Sequence, residues 1–138
     1  MQARLTPFIG FSVWLAIILY LSFGRLESLP QNTFFNQLYL DKVVHFVMYA
    51  ILEALFLFGF FKSAGNRSVS ILITIITLLF CVTLGASVEF LQPILTTYRK
   101  FEWLDMVANS SGAFGGLYFF NRYWKKRLLE RDRNKVAA

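Results

Sequence analysis

The chain has 138 residues, of which 57% are apolar and only 16% charged, with sixteen phenylalanines. Soluble domains carry about 25% charged residues, so this composition excludes an ordinary soluble core and indicates a one-domain membrane protein. The net charge of +6 does not signal nucleic acid, because seven of the fourteen Lys and Arg side chains follow the last apolar run, where a cytoplasmic topology signal accounts for them.

After a short polar start containing Arg4, residues 8–24 form a first apolar run just long enough to span a bilayer. Ser22-Phe23-Gly24 also resembles a signal-peptide cleavage site, but the run is long for a signal peptide and reads as a span. In the following loop, residues 25–42, Ser28, Pro30, Gln31 and Asn32 break helix. Phe34, Phe35, Leu38, Tyr39 and Leu40 then read as a segment lying at headgroup depth. The second span is 43–61, and a short loop with Gly65 and Asn66 leads to the third, 69–91, which Pro93 is expected to end. The fourth span, 103–120, carries Gly112-x3-Gly116, a spacing that lets two helix backbones approach closely. Residues 121–138 form a basic tail, with Tyr123 and Trp124 at the interface. The expected fold is an all-α bundle of four transmembrane helices in a single domain, 1–138, with no linker and no internal repeat.

Cys81, the only cysteine, excludes an intramolecular disulfide and reads as packing. Asn66-Arg67-Ser68 and Asn109-Ser110-Ser111 match the glycosylation sequon by chance, one in an inner loop and one inside a span. Ten of the fourteen Lys and Arg fall in the N-terminus, second loop and tail, against four in the first and third loops. The positive-inside rule then puts both termini in the cytoplasm.

Asp41, His45, Tyr49 and Glu53 recur every four residues and form one polar stripe on an otherwise apolar helix. Glu53 lies near the middle of its span, where a carboxylate costs about 2.5–3.5 kcal/mol on insertion scales. Lys42 and His45 enter the second span from the outer side, Glu89 and Gln92 close the third, and Arg99 lies in the outer loop between the third and fourth. Asp105 and Asn109 open the fourth span on one helix face. Three segments thus bring polar groups to one depth.

The residue types suggest roles. Lys42 and Arg99 suit a phosphate or carboxylate, and His45 beside Asp41 suits base or nucleophile chemistry. Glu89 and Asp105 complete the candidate catalytic set, while Gln92, Asn109, Tyr49 and Glu53 join Lys42 and Arg99 as candidate binding residues. Metal binding is the lesser reading: one His with carboxylates can hold a divalent cation, but no His-x3-His or Cys pair supports it, so no metal or other cofactor is expected. Each residue also has a plain structural reading. Asp41 can be an N-cap, Lys42 a snorkelling interface residue, and Asp105 a first-turn acid. That reading is weakest for Glu53, Glu89 and Asn109, which a membrane interior gives no water to satisfy.

The pattern Asp41-Lys42-x-x-His45-Phe46-x-x-Tyr49, then Glu89-x-x-Gln92, Arg99, and Asp105-x3-Asn109 followed by Gly112 and Gly116, resembles the VanZ-like family. The match covers three of the four spans in order; Glu53 rests on the bilayer argument alone. The resemblance implies a small bacterial inner-membrane protein, in a family named for a member linked to teicoplanin tolerance. The first expectation is therefore an envelope protein with an outward-facing site. That site would bind a phosphate-bearing or lipid-linked envelope precursor, with catalysis and plain binding evenly placed. The expected partners are membrane lipids and that precursor, not nucleic acid. The rivals are a non-enzymatic scaffold whose polar network locks the helices and, less favoured because the inner halves of the spans are apolar, a proton- or ion-coupled transporter with Glu53 as relay.

Overall fold

Apolar side chains around the whole circumference suit a helix that has lipid for its neighbour, and α1 (Ile9–Phe23) is such a helix. The computed structural model describes residues 6–24, 40–65 and 69–136, which are helical apart from short turns and irregular connections. The interfacial segment expected at 34–40 lies outside them except for Leu40, as do Arg4, Arg25 and the turn at Asn66. A 3-10 turn, Thr6–Phe8, leads into α1, with Pro7 where a helix start needs no amide donor. Only Ile18 and Ser22 of α1 are buried.

The central helix is α2 (Leu40–Ser63), about 36 Å long at 1.5 Å per residue. Its buried stripe, His45, Met48, Tyr49, Leu52, Glu53, Leu57 and Phe61, keeps the three- and four-residue spacing of one helix face. α3 (Ile71–Leu95) starts at Ser70, whose hydroxyl accepts from the Ile73 amide at 3.3 Å. It buries Thr77, Cys81, Gly85, Val88, Glu89 and Gln92 and exposes Ile71, Leu72, Ile75, Ile76 and Leu79. α4 (Trp103–Phe119) buries Asp105, Asn109, Gly112, Ala113 and Gly116. One π turn, Phe120–Trp124, then passes into the basic helix α5 (Lys125–Val136).

Polar groups face inward and apolar groups outward, the reverse of a soluble bundle. Three helices, Thr6–Phe23, Leu40–Ser63 and Ile71–Leu95, are long and apolar enough to cross a membrane. The third runs one turn past its expected end, because Pro93 sits where only one helical bond, to the Glu89 carbonyl, is forgone. The tail read as an extension of charge is helical and continues α4 through the π turn.

Helices consecutive in the chain run antiparallel, whereas α2 and α4 run parallel, Lys42, Phe46, Ala50 and Phe61 meeting Asp105, Gly112, Gly116 and Phe120 in turn, and the bundle has a polar end and an apolar end. At the apolar end Phe61 meets Phe120 with ring centres 6.1 Å apart, and Phe58 stacks on Trp124 at 5.0 Å. Phe8 packs there against Phe56 and Phe60. At the polar end the Tyr98 hydroxyl donates to the Phe23 carbonyl at 2.7 Å and ties α1 to the turn after α3. Mid-bundle, Trp14 Nε1 donates to the Met48 carbonyl at 2.9 Å.

The tightest seam joins α2 to α4. A Cβ on Gly112 would stand inside the Phe46 carbonyl oxygen, and one on Gly116 inside that of Ala50. Only glycine allows the backbones so close, the approach its four-residue spacing predicts.

Candidate functional site

This α2–α4 seam stacks the polar stripe of α2 against Asp105 and Asn109 of α4, and α3 closes the third side with Glu89, Gly85, Cys81 and Thr77. The result is a polar column in four levels. From Asp41 to Glu53 it descends about 18 Å along α2.

At the mouth, the Lys42 ammonium is paired with Asp105 and Glu102 and lies 3.2 Å from Asp41 Oδ2. Asp41 and Glu102 are about half exposed, whereas Asp105 is 6% exposed. With these acids ionised, three carboxylates surround one ammonium. Charge here is in negative excess, and Lys42 is already shared among partners.

One turn lower, His45 is buried between two groups. Its Nδ1 lies 2.9 Å from the Asp41 carbonyl oxygen and 3.6 Å from Asp41 Oδ1. A carbonyl only accepts, so in that contact Nδ1 carries the proton and leaves Nε2 facing the other way. Nε2 lies 3.7 Å from Glu89 Oε1. Glu89 is 0% exposed, and neither of its oxygens has a hydrogen-bond partner among the described residues. Two acceptors face each other there until one further proton is placed between them.

The third level holds Tyr49 and Asn109 against Gly85, where an added Cβ would come within 2.9 Å of Asn109 Cβ and 3.3 Å of Tyr49 Cε1. Among the described residues the Tyr49 hydroxyl and both amide atoms of Asn109 also lack hydrogen-bond partners. A buried polar group left so costs about 1–3 kcal/mol. At the lowest level Thr77 Oγ1 donates to Glu53 Oε1 at 2.8 Å, with Cys81 beside the same carboxylate. Below Glu53 the column is closed by Leu57, Phe61 and Phe120.

The structure therefore gathers Asp41, Lys42, His45, Glu89 and Asp105 at the polar end, with Tyr49 and Asn109 beneath and Glu53 lower still. Gln92 is buried but turns toward α1, where Nε2 donates to the Ser22 carbonyl at 3.3 Å. Arg99 sits in the turn after α3, its amide donating to Thr96 Oγ1 at 3.3 Å. No hydrogen bond or ion pair joins its guanidinium to the column among the described residues.

Three participants were not visible from the sequence. Glu102 reads there as the last residue of a loop, yet it is a Lys42 partner. Thr77 and Cys81 look like ordinary members of an apolar run, yet they line the Glu53 carboxylate. Glu102 had one available signal, its place at the cap of a helix that carries Asp105 three residues on. Asp41, His45 and Asp105 also each offer one ligand atom within 4.8 Å of the others.

Residues 3–125 match the VanZ/LLP1 family. The chain belongs to that family. An uncharacterized protein of Schizosaccharomyces pombe is 35% identical over 124 residues, covering 89% of this chain and 67% of that protein. No solved structure matches the chain. The VanZ/LLP1 residues on which the resemblance rests, from Asp41 to Gly116, all fall within the matched span, and so does the whole polar column. Similarity to this chain thus reaches a yeast protein.

Proposed function

We propose that this VanZ/LLP1 membrane protein binds a phosphate-bearing or lipid-linked envelope precursor at its polar end and acts on the headgroup by proton transfer. One observation carries the reading: His45 is fixed between the Asp41 carbonyl and the Glu89 carboxylate, while Val43, Val44, Phe46 and Val47 beside it are exposed on the outer surface of α2. An acid–base pair thus lies within a turn of the lipid-facing surface, at the depth of a headgroup.

In this reading α4 and the π turn form a fourth crossing, both termini are cytoplasmic, and the polar end faces outward in a bacterial inner membrane. The Lys and Arg distribution supports that orientation. His45 moves the proton, Glu89 exchanges it with Nε2, and Asp41 holds the ring. Arg99, in the turn at the same end, supplies a guanidinium for phosphate. Asn109 and Tyr49 take the polar groups that reach below His45. In a bacterial host, altered teicoplanin susceptibility is one consequence of changing such a precursor.

The test compares cells expressing wild type and His45→Gln at matched membrane levels, scoring envelope lipids, precursors and glycopeptide susceptibility together. The expected result is a shift with wild type only, and the altered lipid names the substrate. Identical profiles from two folded proteins would remove His45 from chemistry.

A non-enzymatic scaffold is the second reading, and a specific observation favours it. Lys42 bridges α2 to Asp105 of α4 and to Glu102 at its cap, across the glycine seam. A transporter is opposed by the Leu57, Phe61 and Phe120 plug below Glu53.

A further inference from the structure

We infer that Asp41, His45 and Asp105 form a divalent-cation site of the manganese or zinc class, with Glu89 orienting His45 from behind. Three observations carry it. First, one donor atom from each of the three residues lies within 4.8 Å of the others; ligands about 2.0–2.2 Å from one ion stand at most about 4.4 Å apart, so a small inward movement of the half-exposed Asp41 side chain closes the set. Second, His45 presents two opposed edges: Nδ1 toward Asp41 and Nε2 toward Glu89 Oε1 at 3.7 Å. With Nδ1 on the ion, its hydrogen bond to the Asp41 carbonyl is given up and the single ring proton moves to Nε2, where Glu89 accepts it. This is the carboxylate–histidine–metal arrangement that fixes the tautomer in metal sites. Glu89 is fully buried with no other hydrogen-bond partner among the described residues, so orienting His45 gives it a role.

Third, the charge favours a cation. With Asp41, Asp105, Glu102 and Glu89 ionised, four carboxylates face the one ammonium of Lys42, and a divalent ion removes two of the three negative charges left over. Two carboxylate oxygens and one imidazole nitrogen suit a borderline or hard ion, with open positions for oxygen ligands. Lys42 competes with the ion for Asp105 and therefore lowers its affinity. The inference rests on the reading above only for the phosphate, and it makes His45 a ligand in place of a proton carrier, since both ring nitrogens are then engaged: an ion at this place would bridge the acidic mouth to an anionic headgroup that the acids alone repel.

The experiment uses full-length, tag-free protein in detergent micelles, stripped with EDTA and titrated with Mn2+ alone, with no lipid precursor. His45 is the only histidine in the chain. Imidazole 14N modulation in the pulsed EPR spectrum of the bound Mn2+ therefore identifies the site in wild type, without any variant. The expected result is one ion per chain with that modulation. Affinity should fall about 10–100-fold in Glu89→Gln, as for other orienting partners. Lys42→Met should bind Mn2+ more tightly than wild type. No binding at millimolar Mn2+, or a bound ion without imidazole nitrogen, overturns the inference. Lipid profiles unchanged by His45→Gln in cells, with Mn2+ still bound at His45 in vitro, would instead refute the precursor reading and leave the ion site standing.

Discussion

Replacing Gly116 with alanine adds one methyl group at the seam between α2 and α4. That methyl would stand inside the Ala50 carbonyl oxygen, a backbone atom held in a helix and unable to swing aside. The helices must part, which draws Asp105 from Lys42. Overpacking of this kind costs about 1–3 kcal/mol, and a displacement of whole backbones belongs at the upper end. Alanine recovers roughly 0.5–1 kcal/mol as the better helix former, leaving a net loss of about 2 kcal/mol. That is roughly a 30-fold drop in the folding equilibrium. Gly115 is the internal control. A Cβ there would lie 2.8 Å from Phe46 Cζ, the far end of a ring that can turn outward. Gly115→Ala should therefore be neutral or slightly stabilising. Reversible unfolding of both variants in mixed micelles measures the difference. Equal stability of the two, or a stabilised Gly116→Ala, would refute the close-contact argument.

Three further outcomes are expected from the column and its ties. Thr77→Val removes the hydroxyl from Glu53 Oε1 and should cost about 1–3 kcal/mol, while Thr77→Ser stays near wild type in the same unfolding assay. Without metal, Lys42→Met leaves Asp105 buried with no ammonium and should cost about 2 kcal/mol, less than a fully buried pair because Asp41 and Glu102 remain hydrated; adding Mn2+ should restore part of the loss. Trp14→Phe loses the bond to the Met48 carbonyl and should cost about 1 kcal/mol, read by unfolding, with crosslinking between α1 and α2 reduced.

The helical stripe was legible because four-residue spacing of Asp41, His45, Tyr49 and Glu53 fixes one face whatever the neighbours do. The same reasoning found Asp105 and Asn109, and the glycine spacing announced the close seam. Contacts across helices were less legible, since the rotation of α3 about its axis decides which residues meet Glu53. That rotation brings in Thr77 and Cys81, which carry no polar warning in an apolar run. It also separates Glu89 from Gln92: three residues apart are offset by about 60° around a helix, enough for one to face His45 and the other α1. Pro93 misled because a proline near a helix end sacrifices only one bond. Glu102 was passed over because the end of a loop and the cap of a helix look alike in sequence.

Among the described residues, the partners that the α2 polar stripe finds on other helices all lie later in the chain, while Asp41 serves His45 and Lys42 within α2 itself. Thr77 follows Glu53 by 24 residues, and Glu102 follows Lys42 by 60. At about 5–20 residues per second, a ribosome makes α2 roughly one to five seconds before Thr77 exists, and roughly three to twelve seconds before Glu102 does. During that interval α2 holds Glu53 without the Thr77 hydroxyl, and a carboxylate near the middle of a span opposes insertion by about 2.5–3.5 kcal/mol. Its release into lipid is therefore coupled to synthesis of α3 and α4: α2 waits beside the insertion machinery with α1, and the hairpin with α3 enters as a unit. Nascent chains stalled before residue 77 should remain crosslinkable to that machinery, and chains extended past the glycines of α4 should be free of it.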